Sequence, residues 1–74
     1  MAYYFTAKLR EEIGKNIEKA RRNKKKKQVE VAEEAGITTS YYNRIENGTV
    51  NPSLEKLYKI IKVLNVKSSD IFPF

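Results

Sequence analysis

The sequence has 74 residues and a net charge of +6, and it contains neither cysteine nor histidine. This length allows one domain with a single core, and the missing residue types exclude disulfides, thiolate metal sites and histidine-based acid–base catalysis. No apolar run approaches the ~18 residues of a membrane span, and the N-terminal residues lack the pattern of a secretory signal. We therefore expect a cytoplasmic protein.

The first half of the chain is predicted to be helical. Apolar residues at helical spacing indicate an amphipathic helix across roughly residues 7–23, and they are Leu9, Ile13, Ile17 and Ala20. A second apolar set predicts a short helix that opens at Gln28 and that Gly36 ends in the left-handed conformation. Thr38 is expected to be the N-cap of a third helix, which stops at Asn47-Gly48.

The second half continues in the same way. Either Asn51 with Pro52, or Ser53, is expected to start a fourth helix. Its apolar stripe is the strongest in the sequence and consists of Leu54, Leu57, Ile60, Ile61 and Leu64. Asn65 is expected to end that helix, and Ser68 or Ser69 to cap a last helical turn. No stretch shows the alternation of a strand, so the pattern predicts an all-α fold.

The positive charge is concentrated in one segment. Residues 15–27 hold eight of the fifteen cations against a single acid, Glu18, and Lys24 to Lys27 are four consecutive lysines. Such clustering favours a polyanionic partner, although lysines that merely solvate a surface are the alternative.

Residues 28–47 have the pattern of a helix-turn-helix, that is, two short helices joined by a turn with glycine. With Tyr42 and Ile45 facing inward, the exposed positions of the third helix are Thr39, Ser40, Asn43 and Arg44, none of them acidic. Hydroxyls and amides can read base edges, and an arginine can make a bidentate contact with guanine. The alternative is an ordinary solvated helix face.

The ordered string from "QVEVAEEAGITTSYYNRIENG" to "NPSLEKLYKIIKVLNV" resembles the lambda-repressor and Cro-like helix-turn-helix family, also called the xenobiotic-response-element type. The resemblance covers about residues 13–72. It implies a compact fold of five helices, with helices 2 and 3 as the helix-turn-helix, and sequence-specific binding of double-stranded DNA. We expect one domain over residues 1–74, in which residues 1–6 are an N-terminal extension outside the resemblance.

The resemblance also implies roles for individual residues. Gln28 would bind a phosphate and brace the start of the recognition helix, and Arg21 would form a structural ion pair with Glu46. The four lysines replace the family's lysine, glycine, apolar residue and hydroxyl between the first two helices. We therefore expect the glycine, the buried side chain and the cap to be lost there, with the stem of Lys26 lying on apolar surface.

We call the connection between the first two helices, Lys24 to Lys27, the lysine corner. Phosphate contacts are expected from residues of this corner and of the start of the third helix, because a helix-turn-helix places these parts beside the DNA backbone. The expected residues are Lys25, Lys26, Lys27, Thr38 and Tyr41. The alternative to a phosphate contact for Tyr41 is that its side chain packs against the second helix.

These expectations predict a small prokaryotic or phage transcriptional regulator, most simply a repressor, that binds a palindromic operator as a homodimer through its last two helices. Phage repressors, restriction–modification controllers and antitoxins all remain open. The alternative function is a protein-interaction module, such as an antitoxin subunit that mainly binds a partner protein. No enzymatic activity, metal, cofactor, small-molecule ligand or membrane is expected, because no catalytic or phosphate-cradling motif is present.

Two apolar ends lie outside this pattern. The segment "MAYYF" could fold back over the core, take part in a dimer contact or be disordered. Phe72 and Phe74 could form a patch suited to self-association.

Overall fold

The computed structural model describes residues 5–73 and consists of helices and their connections. The helices are α1 (Ala7–Asn23), α2 (Gln28–Ala35), α3 (Thr39–Asn47), α4 (Leu54–Leu64) and α5 (Ser68–Ile71). No strand occurs in this part of the chain, which confirms the predicted all-α fold with five helices. None of these helices combines the length and the apolar character that crossing a membrane requires.

The ends of the helices follow from local residues. The Thr38 hydroxyl accepts the Tyr41 N–H at 3.1 Å, and Gly36 has a φ of +72°, as predicted. Asn65 ends α4 with a φ of +53°, which confirms that asparagine replaces glycine there. Ser53, and not Asn51, caps α4, since its hydroxyl accepts the Lys56 N–H at 3.2 Å.

The predicted cap of α5 is wrong. Neither Ser68 nor Ser69 caps this helix, because both lie inside it and Lys67 precedes it. The Asp70 carboxylate accepts the Lys67 N–H at 3.1 Å and supplies half of a capping box. An acid three residues after the cap position therefore decides where α5 begins.

The core receives side chains from every helix. Its fully buried members include Ile13, Ile17, Val31, Tyr42, Ile45, Leu57, Ile60, Leu64 and Ile71. Tyr42 and Ile45 face inward as predicted, which turns the opposite side of α3 toward solvent. Gly14 lets α1 approach α3 closely, because a Cβ there would lie 2.6 Å from the Ile45 carbonyl oxygen.

The N-terminal side of α1 is folded against the domain from Phe5 onward. The Phe5 ring packs against Phe72 with 6.5 Å between centroids, and its N–H donates to Asn51 Oδ1 at 3.1 Å. The Arg10 guanidinium donates to the Phe5 carbonyl at 2.8 Å, and the Thr6 hydroxyl caps α1. Phe5 thus lies against α5, while the remainder of "MAYYF" and Phe74 lie outside the described residues.

Candidate nucleic-acid interface

The outward face of α3 carries no negative charge. Thr39, Ser40 and Arg44 are exposed on it, and Asn43 is half-buried at its edge. The one acid of α3, Glu46, is only 7% exposed and points into the domain. This face can therefore approach an anion without electrostatic repulsion from its own side chains.

The first turn of α3 offers hydrogen-bond donors. The first four N–H groups of an α-helix have no carbonyl partner within the helix, and together with the helix dipole they favour an anion. The Thr38 hydroxyl accepts the Tyr41 N–H, and the Thr38 carbonyl accepts the Tyr42 N–H at 3.0 Å. The Tyr41 ring is half-buried and packs against the core, so at least part of this side chain serves packing.

A buried ion pair joins α1 to the end of α3. Arg21 donates from Nε to Glu46 Oε2 at 2.7 Å and from Nη2 to Glu46 Oε1 at 3.2 Å. Its Nη1 donates to the Lys26 carbonyl at 3.0 Å. The structure thus places Arg21 and Glu46 in contact, and the same arginine also holds the corner between α1 and α2.

The electrostatics of this pair follow from its partners. Burial alone would raise the pKa of Glu46, but hydrogen bonds from Arg21 and Gln28, with the Tyr42 hydroxyl nearby, outweigh it and lower that pKa. The hydrogen bond to Glu46 raises the pKa of Arg21. Burial, reinforced by the Glu46 carboxylate, raises the pKa of Tyr42, whose hydroxyl makes no hydrogen bond of ordinary geometry.

Gln28 contacts a different part of α3 from the one expected. Its Nε2 donates to Glu46 Oε1 at 2.9 Å, and its Oε1 accepts from Asn43 Nδ2 at 3.2 Å. The expectation that Gln28 braces the start of α3 is therefore wrong, since these bonds reach the middle and the end of the helix. Gln28 lies between the ion pair and one of the base-reading candidates.

The lysine corner keeps the conformation that glycine usually provides. Lys25 itself has a φ of +56°, and the Lys27 N–H donates to Glu30 Oε1 at 2.8 Å. The left-handed turn is thus kept although the glycine is lost, because Lys25 adopts this conformation. The expected loss of the hydroxyl cap is confirmed, since the Lys27 side chain makes no cap hydrogen bond and only the Glu30 half of a capping box is formed.

The four lysines differ in how free their charges are. The half-buried Lys26 forms a salt bridge with Glu34 at 3.1 Å. Lys24, Lys25 and Lys27 are exposed and form no salt bridge within residues 5–73. Lys24 thus joins the predicted residues as an unpaired cation, whereas Lys26 would have to leave Glu34 to contact a phosphate.

A second surface lies on α4 and α5 and is apolar. Leu54 and Tyr58 are 58% and 61% exposed. Together with Ile61, Ser68 and Phe72 they line a groove of about 400 Å³. Phe72 also contacts Phe5, so the chain before α1 borders this groove.

Similarity to known proteins covers most of the chain. The model of the helix-turn-helix family matches residues 17–71. An uncharacterised HTH-type transcriptional regulator from Archaeoglobus fulgidus is 43% identical over 47 residues, which span 64% of this chain and 66% of the relative. The chain thus covers just under two thirds of that relative's length.

Solved structures extend the likeness to nearly the whole fold. The crystal structure of the clp gene regulator ClgR from Corynebacterium glutamicum superposes with a TM-score of 0.81 at 27% identity, over 85% of this chain and 82% of the other. The restriction–modification controller protein C.AhdI from Aeromonas hydrophila gives 0.85 at 24% identity, over 89% and 96%, and shows the fold alone. This chain belongs to the helix-turn-helix family of Cro/C1-type, xenobiotic-response-element-like transcription regulators.

Proposed function

We propose that this protein is a cytoplasmic transcriptional repressor that binds a palindromic DNA operator as a homodimer, with α3 in the major groove. The observation that carries the proposal is the charge of α3: its one acid is buried against Arg21, and the face turned to solvent is neutral or cationic. An interaction module that had lost DNA reading would have no reason to keep this face free of acids.

Base reading is assigned to the outward side chains of α3. Arg44 is exposed and long enough for a bidentate contact with guanine, and the hydroxyls of Thr39 and Ser40 can donate or accept at base edges. Asn43 is half-buried but keeps one N–H and one oxygen lone pair uncommitted after its bonds to Gln28 and Asn47.

Phosphate binding is assigned to the corner and to the start of α3. Lys25 and Lys27, with Lys24 beside them, contribute unpaired charges, and Lys26 contributes when it leaves Glu34. Thr38 and Tyr41 add hydroxyl groups at the N-terminus of α3, and Gln28 keeps one N–H that its bond to Glu46 does not use. These contacts give affinity without sequence preference.

The dimer is assigned to the α4–α5 groove. One helix-turn-helix reads only a few base pairs, and two-fold pairing on a palindrome supplies the remaining affinity and specificity. Exposed Leu54 and Tyr58 beside Phe72 provide an apolar surface that a second copy can cover.

The experiment is a selection of genomic DNA fragments by the purified protein, followed by binding assays on the selected site. We expect a palindrome whose half-sites lie about 10 base pairs apart or a multiple of that. Arg44→Met should lose preference at one base pair of each half-site, whereas Lys59→Met, on α4 and paired with Glu55, should not. A selection without any enriched sequence would refute the proposal.

Two further measurements test the proposed dimer and the proposed repression separately. Sedimentation should show a dimer that Tyr58→Glu dissociates, and a monomer at high micromolar concentration would refute the dimer. A reporter gene placed behind the selected site should fall in expression when the protein is present, and a rise would refute repression.

A further inference from the structure

A chain of side-chain hydrogen bonds leads from the buried ion pair to the surface of α3. Glu46 Oε1 accepts from Gln28 Nε2 at 2.9 Å, and Gln28 Oε1 accepts from Asn43 Nδ2 at 3.2 Å. Asn43 Oδ1 in turn accepts from Asn47 Nδ2 at 3.1 Å. We call this chain, from Glu46 through Gln28 and Asn43 to Asn47, the amide relay.

The charge of Glu46 determines the direction of every bond in the amide relay. An ionised carboxylate can only accept, so the nitrogen of Gln28 must face it and the oxygen of Gln28 must face away. That oxygen can only accept, so Asn43 must turn its nitrogen toward Gln28. Arg21 keeps Glu46 ionised by donating to both carboxylate oxygens.

This direction decides what Asn43 presents to its surroundings. An asparagine reads adenine by accepting from N6 through its oxygen while it donates to N7 through its nitrogen. Rotating the amide by half a turn exchanges the donor and the acceptor, and this match is lost. The base preference of Asn43 therefore depends on which way its amide points.

We propose that Gln28 is a positioning residue for base reading. It transmits the orientation imposed by Glu46 to the Asn43 amide and so sets the preference at the base pair that Asn43 faces. This inference rests on the proposed function, and it adds a positioning role to the phosphate contact proposed for Gln28. Gln28 supplies the middle of the relay, while Asn43 makes the contact with the base.

The test is a double-mutant cycle on the selected operator. Gln28→Met keeps the length of the side chain but cannot hydrogen-bond as an amide does, and Asn43→Ala removes the reading group. Affinities are measured for duplexes that carry each of the four bases at every position of a half-site. We expect wild-type protein to prefer one base at the Asn43 position by about tenfold or more. Each single variant should reduce that preference, and the double variant should reduce it no further than Asn43→Ala does.

The matched control is Thr39→Ala, which removes an exposed side chain at the other end of the reading face. Its effect should fall at a different base pair and should add to that of Gln28→Met, as independent sites do. Coupling between Gln28 and Thr39 as strong as that with Asn43 would indicate a general structural effect and overturn the proposal.

Three results refute the positioning role in distinct ways. A loss of affinity in Gln28→Met that is equal for all bases would assign Gln28 to a phosphate contact alone, and its salt slope should then stay that of wild type because an amide carries no charge. An unchanged preference at the Asn43 position would show that the Asn43 amide needs no positioning. A wild-type protein that prefers no duplex would refute the proposed function, and the positioning role would fall with it.

A measurement on the unaltered protein covers the case in which Gln28→Met does not fold. In NMR spectra of the free wild-type chain, the Asn43 side-chain amide proton that is bonded to Gln28 should exchange with solvent at least about tenfold more slowly than those of exposed Asn23. Equal exchange rates would show that the amide relay is not formed in solution, and they would overturn the proposal without involving DNA.

Discussion

Replacing Lys25 by glycine should stabilise the free protein while weakening its binding to DNA. Lys25 has a φ of +56° just beyond α1. Its N–H donates to the Arg22 carbonyl at 3.0 Å and the Lys26 N–H donates to the Arg21 carbonyl at 3.1 Å, the bond pattern with which glycine usually ends a helix. An L-residue in this conformation costs ~1–2 kcal/mol. Glycine avoids that cost but gains freedom in the unfolded chain, which leaves a net stabilisation of about 1 kcal/mol.

The effect on DNA binding has the opposite sign. Lys25 is exposed and forms no salt bridge within residues 5–73, so its charge is free to contact a phosphate. Each lost phosphate contact reduces the slope of log K against log salt by about 0.9, or about 1.8 for a dimer. Lys25→Gly should therefore give a more stable protein whose DNA binding depends less on salt.

Two control variants separate conformation from charge. Lys25→Gln removes the charge but keeps a side chain on a backbone of left-handed conformation. Its salt slope should therefore match that of Lys25→Gly, without the gain in stability. Lys24→Gly places glycine at a φ of −85°, where no strain is relieved and a small loss of stability is expected.

Urea unfolding and DNA titrations at several salt concentrations measure the two effects. A gain of 1 kcal/mol corresponds to a rise of ~4–8 °C in the melting temperature of a domain of this size. If Lys25→Gly were no more stable than Lys25→Gln, the left-handed lysine would carry no strain. If all three variants kept the wild-type salt slope, the corner would make no phosphate contacts.

Three further predictions concern the contact between α1 and α3. Gly14→Ala should lower the free energy of unfolding by about 2–3 kcal/mol, measured in urea, because its Cβ would meet the backbone of α3 and push the helices apart. Glu46→Gln should lower it by about 3 kcal/mol at neutral pH, because Arg21 loses its buried counter-charge. The pKa of Glu46 is lower in the folded protein than its ordinary value of 4.5, so its ionised form contributes stability above that pH, which is lost on acidification. Wild-type protein should thus lose more stability below about pH 4.5 than Glu46→Gln does. Tyr42→Phe should change the free energy of unfolding by less than about 1 kcal/mol, and a larger loss would reveal a strong bond from its hydroxyl to Glu46.

Much of the fold could be predicted because it depends on residues close together in the chain. Apolar spacing locates α1 and α4, and Thr38 and Gly36 act within one turn of their own positions. The inward direction of Tyr42 and Ile45 follows from the same periodicity, and it fixes the outward face of α3 as well. These features require no knowledge of which helices touch.

The parts that could not be predicted depend on contacts between distant positions or on an unusual residue. The bond between Asn43 and Gln28 joins residues 15 positions apart, and Gln28 also donates to Glu46. Lysine is not a residue that signals a left-handed conformation, so the sequence pattern did not indicate that Lys25 would adopt one. A glutamate three residues after Lys27 was the available signal for the bond that it accepts from the Lys27 N–H.

The strained corner and α3 are held by the same residue. The Lys26 N–H donates to the Arg21 carbonyl at 3.1 Å, and the Lys26 carbonyl accepts from Arg21 Nη1 at 3.0 Å, so Arg21 holds Lys26 on both sides. This clamp keeps Lys25 in a conformation that a free lysine avoids. Arg21 also donates to both oxygens of Glu46, whose charge directs the amide relay. Because Arg21 alone makes both sets of bonds, the chain can place unpaired lysines at the corner without losing the geometry of α3.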